Sequence, residues 1–302
     1  MKTQLRFRKF YLQAVLLVAG VIYLNDASSQ SYENLKHLTG TELQVYYSAG
    51  HEPRAKDVAT RTQNAINFTT ELVGFRPEVV LLVLDPEDWK KHTSFPVYGM
   101  PHYTDKKTLI IASSDNNFWK SFIPPVEQLP ASLAEKIKNT YKSGDGNISM
   151  QPFFDLLAIH ELGHAFHIQA GLTMQRKWMG ELFCNILLHT FIEEREPHQL
   201  DALTVFPEMV VVSGATGYKF TTLSEFENNY NVIGQKHPKN YGWYQGRLHV
   251  AAKNIFGAGG KKVIVKLWKA LRSTSDQIND NQLATLLKKK VHKSVADVFV
   301  KW

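Results

Sequence analysis

The spacing of apolar residues divides the chain into a mixed α/β part and a mainly helical part. Apolar residues alternate over residues 42–48, which predicts a strand, and the unbroken apolar run at 79–84 predicts a fully buried strand. Residues 108–112 predict another short strand. A long helix is predicted over residues 52–72, between the first two of these strands.

The most apolar helical stretch lies at residues 153–167, and Gly171 ends it. A short link then leads to a second apolar helix at 178–194, which we expect to run antiparallel to the first because the link is short. Residues 199–302 are again mainly helical.

This order of elements predicts an α+β protein with an active-site cleft between two subdomains. The N-terminal subdomain, residues 30–172, would carry a mixed sheet and the helix at 153–167. The C-terminal subdomain, residues 173–302, would be mainly helical.

Residues 1–29 have the pattern of an export signal. Four basic residues precede an apolar run at 10–24, and small residues follow before Gln30. That run is shorter than the roughly 20 residues that cross a bilayer. We therefore predict a cleaved signal and a secreted or periplasmic protein, with an uncleaved membrane anchor as the alternative.

Composition excludes some classes of protein. The chain has 302 residues, one cysteine and a net charge of +7, so an intrachain disulfide is impossible. From residue 30 onward 31 basic residues face 27 acidic ones. The lysine runs at 261–262 and 288–290 are short, and we interpret them as solvated helix faces, with no nucleic acid as partner.

The chemistry is concentrated in the predicted helix at 153–167, which contains His160, Glu161 and His164 in the pattern H-E-x-x-H. Two imidazoles four residues apart differ by roughly 40° and about 6 Å along a helix, so both can bind one metal ion. Glu161 would then lie beside the open position of the metal and accept a proton from bound water. The alternative is a core helix with two hydrogen-bonded histidines and an ion-paired glutamate.

A catalytic zinc takes three protein ligands and one water. The metzincin pattern is excluded, because it needs glycine and histidine where this chain has His167 and Ala170. His167 is interpreted as a packed residue or as one that supports a ligand. Glu181, 17 positions after His164, is the natural third ligand, and its alternative role is that of a solvated carboxylate at a helix start.

His160 to His164, followed by Trp178 and Glu181, resembles the gluzincin metallopeptidases, in which H-E-x-x-H precedes a glutamate on the next helix. The resemblance implies one Zn²⁺ held by His160, His164 and Glu181, with Glu161 as general base. It also implies that Asn185 steadies a ligand histidine, although an exposed amide is the alternative. Cys184 is a soft ligand type, but we interpret it as a buried structural residue.

The family also uses a tyrosine or histidine of its helical half to stabilise the oxyanion of the reaction. Tyr244 is the first choice here, with Tyr241 and His249 as alternatives, and each of them could instead pack the helical subdomain. Related enzymes bind extended substrate along a strand that precedes the motif helix. In this chain we expect that strand at residues 108–112.

These expectations combine into an exported zinc metallopeptidase acting on peptides or proteins. Endopeptidase action is favoured, because the G-x-M-E-N segment by which aminopeptidases bind an amine is missing: Gly99 and Met100 are followed by proline. The competing hypothesis is a catalytically inactive, metal-stabilised binding or envelope module. A fourth metal position closed to solvent would favour that hypothesis.

Overall fold

The computed structural model describes residues 32–122, 126–144 and 146–302. The predicted export signal at 1–29 lies outside the described residues. Asn34–Trp302 form one compact unit. The α+β class is confirmed, while the boundary between two subdomains at residue 172 stays a prediction.

Five short strands form one mixed sheet with the order β1-β2-β3-β5-β4. The three inner strands are parallel, and an antiparallel strand flanks them on each side. All five residues of β3 and of β5 are buried, which explains their continuous apolar sequences. The strands are β1 (Lys36–His37), β2 (Gln44–Tyr47), β3 (Val80–Leu84), β4 (His102–Thr104) and β5 (Thr108–Ala112).

Helices dominate the rest of the chain. They are α1 (Glu52–Val73), α2 (Pro86–His92), α3 (Asn117–Lys120), α4 (Ala131–Thr140), α5 (Gln151–Gln169), α6 (Lys177–Arg195), α7 (Leu200–Val212), α8 (Leu223–Lys236), α9 (Pro238–Gly259), α10 (Lys262–Arg272), α11 (Asp280–Leu286) and α12 (Lys293–Val300). A π-helical turn, Leu287–Val291, links α11 to α12 and is called the π-turn below. Within the described residues, no helix combines the length and the apolarity that crossing a membrane requires.

The helices α5 and α6 form the centre of the molecule. Pro152 lies in the first turn of α5, where its missing N–H costs nothing, and Gly171 follows its end with a φ of 65°. The two helices contact each other through His160 with Asn185 and through His167 with Phe183, while their antiparallel direction stays a prediction. At their closest approach, a Cβ atom on Gly163 would lie 2.9 Å from the Cα atom of Cys184. Only glycine allows the two backbones to come this close.

Candidate functional site

The H-E-x-x-H residues lie on one side of α5, as their spacing predicts. The ring centroids of His160 and His164 are 5.1 Å apart. His160 is buried, with 6% of its surface exposed, whereas Glu161 and His164 are half-buried. The site is therefore closed on the side of His160 and reaches solvent on the side of Glu161 and His164.

The helix α6 brings two polar groups to the ring of His160. The Oδ1 atom of Asn185 is 2.8 Å from Nδ1 of His160, and the Oε2 atom of Glu181 is 3.1 Å from its Nε2. An amide oxygen only accepts hydrogen bonds, so Nδ1 of His160 donates its proton to Asn185. The Nε2 lone pair then faces the carboxylate of Glu181, and two acceptors at this distance need a proton or a cation between them.

Burial alone would lower the pKa of His160, but the hydrogen bond and the charge of Glu181 outweigh burial and raise the pKa. Burial would likewise raise the pKa of Glu181, yet the hydrogen bond from His160 and the two motif imidazoles hold this pKa far below its ordinary value. In the absence of a metal, the pair is thus an ionised carboxylate beside a protonated imidazole.

Glu181 has two further partners, Tyr230 and Gln245, that the sequence analysis did not identify. The hydroxyl of Tyr230 donates to Oε1 of Glu181, and Nε2 of Gln245 donates to Oε2 at 2.8 Å. The same amide group donates to the hydroxyl oxygen of Tyr241 at 2.9 Å. Tyr230 lies 49 positions from Glu181, directly after the non-helical residue Asn229 that kinks α8, and no local motif marks it.

His164 has a different supporting residue from that of His160. Its Nδ1 atom is 2.9 Å from Nε2 of His167, and the edge of the His167 ring packs against Phe183 at 5.9 Å. Burial lowers the pKa of His164 to about 4 and that of His167 to about 3, so both rings are neutral and one donates to the other. If His164 is the donor, its Nε2 is free to bind a metal. This agrees with the predicted supporting role of His167.

Glu161 has the properties of a base. Burial raises its pKa to about 7, the charge of Glu181 adds to this, and His160 and the backbone N–H of Tyr103 oppose it. Tyr103 belongs to β4, an edge strand of the sheet. A carboxylate that titrates near neutral pH is well matched to proton transfer.

The structure does not bring Tyr244 into this cluster. Its side chain is fully buried, and its hydroxyl donates to the carbonyl oxygen of Thr222 at 2.8 Å. The charges that act on its hydroxyl come from Glu225 and Arg247, not from the carboxylates of the site. Tyr244 is therefore a packing residue of the helical part.

The two other candidates for the oxyanion donor do lie beside the site. The amide of Gln245 donates hydrogen bonds to both Tyr241 and Glu181. Burial raises the pKa of Tyr241, and the negative charge of Glu181 raises it further. The ring centroid of His249 is 6.3 Å from that of His160. The structure thus brings Tyr230 and Tyr241, rather than Tyr244, to the carboxylate of Glu181.

The donor set fits a divalent metal ion. Among the described residues, His160, His164 and Cys184 each offer a ligand atom, and these atoms lie within 4.8 Å of one another. Glu181 is not part of that trio, although its carboxylate is 3.1 Å from the ring of His160. Imidazole nitrogen with carboxylate or thiolate is the combination that Zn²⁺ prefers. With either Glu181 or Cys184 as third ligand a fourth position stays open to water, whereas both residues together would close a tetrahedral shell.

A scan against protein-family models finds no matching family, and searches of curated proteins and of solved structures find no match either. Function therefore has to be inferred from the residues of this chain.

Proposed function

We propose that the protein is an exported, zinc-dependent hydrolase of peptide bonds whose site resembles that of the gluzincins. The observation that carries the proposal is the convergence of His160, His164 and Glu181 beside the partly buried Glu161. A structural zinc needs no free carboxylate next to it, whereas a hydrolytic zinc needs a base.

His160, His164 and Glu181 would hold the Zn²⁺ ion. The bound ion would supply Lewis acidity for the attacking water and for the scissile carbonyl. Glu161 would take the proton of that water and deliver it to the leaving amine nitrogen. The hydroxyl of Tyr241, or that of Tyr230 after release of its hydrogen bond to Glu181, would donate to the oxyanion, the role first expected of Tyr244.

The sheet supports the binding of an extended peptide, but not at the strand that the sequence analysis expected. β5 (Thr108–Ala112) pairs with β3 on one side and with β4 on the other, so it has no edge for a further strand. β4 (His102–Thr104) is one of the two edge strands, and it is the one whose Tyr103 contacts Glu161. We assign the substrate to this edge, because an added strand would run past the base.

A second candidate function, a metal-stabilised module without turnover, is favoured by one observation. Cys184 could join His160, His164 and Glu181 around the metal as a fourth ligand and close its coordination shell. The thiol is fully buried against Gly163, and burial raises its pKa well above the ordinary value. The buried position places Cys184 on the side of the helix interface and leaves the side of Glu161 open, which favours the hydrolase.

The deciding experiment measures metal content and peptide hydrolysis of the purified protein. We expect about one zinc per chain and chelator-sensitive cleavage of a mixed peptide library. Glu161→Gln should keep the zinc and lose cleavage by a factor on the order of 100 or more. Glu71→Gln, which alters an exposed carboxylate, is the matched control.

Absence of stoichiometric metal, or equal cleavage by Glu161→Gln and the parent, would refute the hydrolase. Substitution of Co²⁺ separates the two candidates. A thiolate-to-cobalt absorption band that Cys184→Ala removes would support the closed module, whereas a spectrum without that band supports the ligand set with Glu181. Sequencing the N-terminus of the secreted protein tests export and cleavage.

A further inference from the structure

Basic residues are concentrated in one part of the chain, far from the motif in sequence. Residues 257–296 contain nine Lys or Arg residues and only two Asp residues. The remainder of the chain from residue 30 contains 22 basic and 25 acidic residues. A net positive segment thus belongs to a fold that is otherwise net negative, a separation of charge that generates a directed electrostatic field.

The fold joins the two lysine runs of this segment. The π-turn packs directly against α10 and buries Leu287 and Val291. The helix α10 buries one apolar side, including Leu267, and turns its cations outward. These two contacting elements carry seven exposed cations, called the basic surface below: Lys262, Lys266, Lys269, Arg272, Lys288, Lys289 and Lys290.

These seven cations have no acidic partner among the described residues. Their neighbours differ in this respect: Lys261 pairs with Glu194 at 2.7 Å, and Lys293 pairs with Asp297 at 3.2 Å. Seven like charges on adjoining elements repel one another, and the fold does not offset this repulsion. Such a surface is completed by an anionic partner.

The composition of the basic surface decides what kind of anion it suits. Six of its seven cations are lysines, which act as mobile point charges and lack the bidentate geometry with which arginine reads individual phosphates and bases. No exposed large hydrophobic side chain of the described residues lies within 257–296, so nucleobases have no stacking platform. A broad anionic surface fits better than a nucleic acid.

We propose that the basic surface docks the protein onto bilayers rich in anionic lipid. Clustered lysines attract the negative headgroup layer, and this attraction weakens within a Debye length and with added salt. Docking would hold the protein at a membrane surface through these exposed charges. The proposal does not depend on the hydrolase, because none of the seven cations belongs to the metal site.

The test is co-sedimentation of the full chain with vesicles. One set consists of phosphatidylcholine with about one third phosphatidylglycerol, and the other of phosphatidylcholine alone. The parent should partition onto the anionic vesicles and be released by salt. Combined replacement of Lys288, Lys289 and Lys290 by Gln should weaken partitioning by about 100-fold.

A matched variant removes the same charge elsewhere. Lys36, Lys236 and Lys239 are exposed and have no ion pair among the described residues, and their replacement by Gln should change partitioning little. Equal weakening by both triple variants would overturn the docking surface and leave only a net-charge effect. Binding that is equal on both kinds of vesicle and insensitive to salt would assign it to the apolar N-terminal segment and also overturn the proposal. Binding to duplex DNA without binding to anionic vesicles would do the same.

Discussion

Gly163→Ala tests whether the close approach of α5 and α6 builds the site. The added Cβ atom would lie 2.9 Å from both Cα and Sγ of Cys184. Ordinary carbon contacts begin near 3.5 Å, so the two helices would have to separate by roughly 0.6 Å. Ligand distances around a metal tolerate only about 0.2 Å of error. Separation therefore moves Glu181 away from the histidines of α5.

Two opposing terms set the change in the free energy of unfolding. Overpacking a core costs about 1–3 kcal/mol, whereas alanine in place of glycine stabilises a helix by about 1 kcal/mol. Gly180→Ala isolates the second term, because Gly180 is also buried, lies next to Glu181 on α6, and has its nearest heavy atom at an ordinary 3.8 Å. The difference between the two variants gives the cost of the clash.

Thermal unfolding and a zinc titration against a competing chelator measure both effects. We expect Gly180→Ala to keep the zinc affinity and to raise Tm by about 2–4 °C. Gly163→Ala should have a lower Tm than Gly180→Ala and should bind zinc at least about 10-fold more weakly. If Gly163→Ala matches Gly180→Ala in both quantities, then the contact between the helices does not set the ligand geometry.

Three further predictions concern single side chains. Tyr230→Phe should lower kcat by a factor on the order of 100. Tyr244→Phe should leave kcat unchanged and cost about 1 kcal/mol of stability in chemical denaturation. A loss of kcat in Tyr244→Phe but not in Tyr230→Phe would restore Tyr244 as the oxyanion donor. His167→Leu should weaken zinc binding by about 10–100-fold in chelator competition. His167→Gln keeps a hydrogen-bond acceptor for the ligand histidine and should restore most of the zinc affinity. Equal zinc affinities of His167→Leu and the parent would show that His167 only packs. His189 is only 3% exposed, and its pKa is lowered from 6.5 to about 4, mainly by burial and also by the charge of Lys253. The neutral ring therefore makes its full contribution to stability above pH 6.5. As the pH falls toward 4, protonation of the unfolded chain removes up to about 3 kcal/mol of that stability. Denaturation at several pH values should show this loss in the parent and less of it in His189→Leu; parallel curves would contradict the assignment.

The H-E-x-x-H motif could be predicted from the sequence because its residues are only four positions apart. His160 and His164 share a side of α5 whatever the helix packs against, since four residues make little more than one turn. The role of Asn185 was implied by the resemblance to the gluzincins, one turn after Glu181, and its amide oxygen lies 2.8 Å from Nδ1 of His160. Where the pattern spans one or two neighbouring helices, sequence was enough.

The predictions of the oxyanion donor and of the substrate strand were wrong, because both depend on contacts between elements that are distant in sequence. Tyr230 reaches Glu181 from α8, and no periodicity links residues so far apart. Tyr244 was preferred because a tyrosine near a helix start in the helical half resembles the gluzincin pattern, but its position on α9 turns the hydroxyl toward Thr222. Strand β5 was identified correctly as a strand, yet the hydrophobic pattern of a strand does not reveal which strand lies at the edge of a sheet.

The sequence by itself determined the α+β class, the burial of β3, the presence of β5, and the motif helix with its three polar side chains, because each depends on side-chain periodicity along one element. Tertiary structure decided the partners of Glu181, the partial burial of Glu161, and the contact between the two elements that carry the basic surface. These features join residues that are distant in the chain, and only the packing of whole elements brings such residues together.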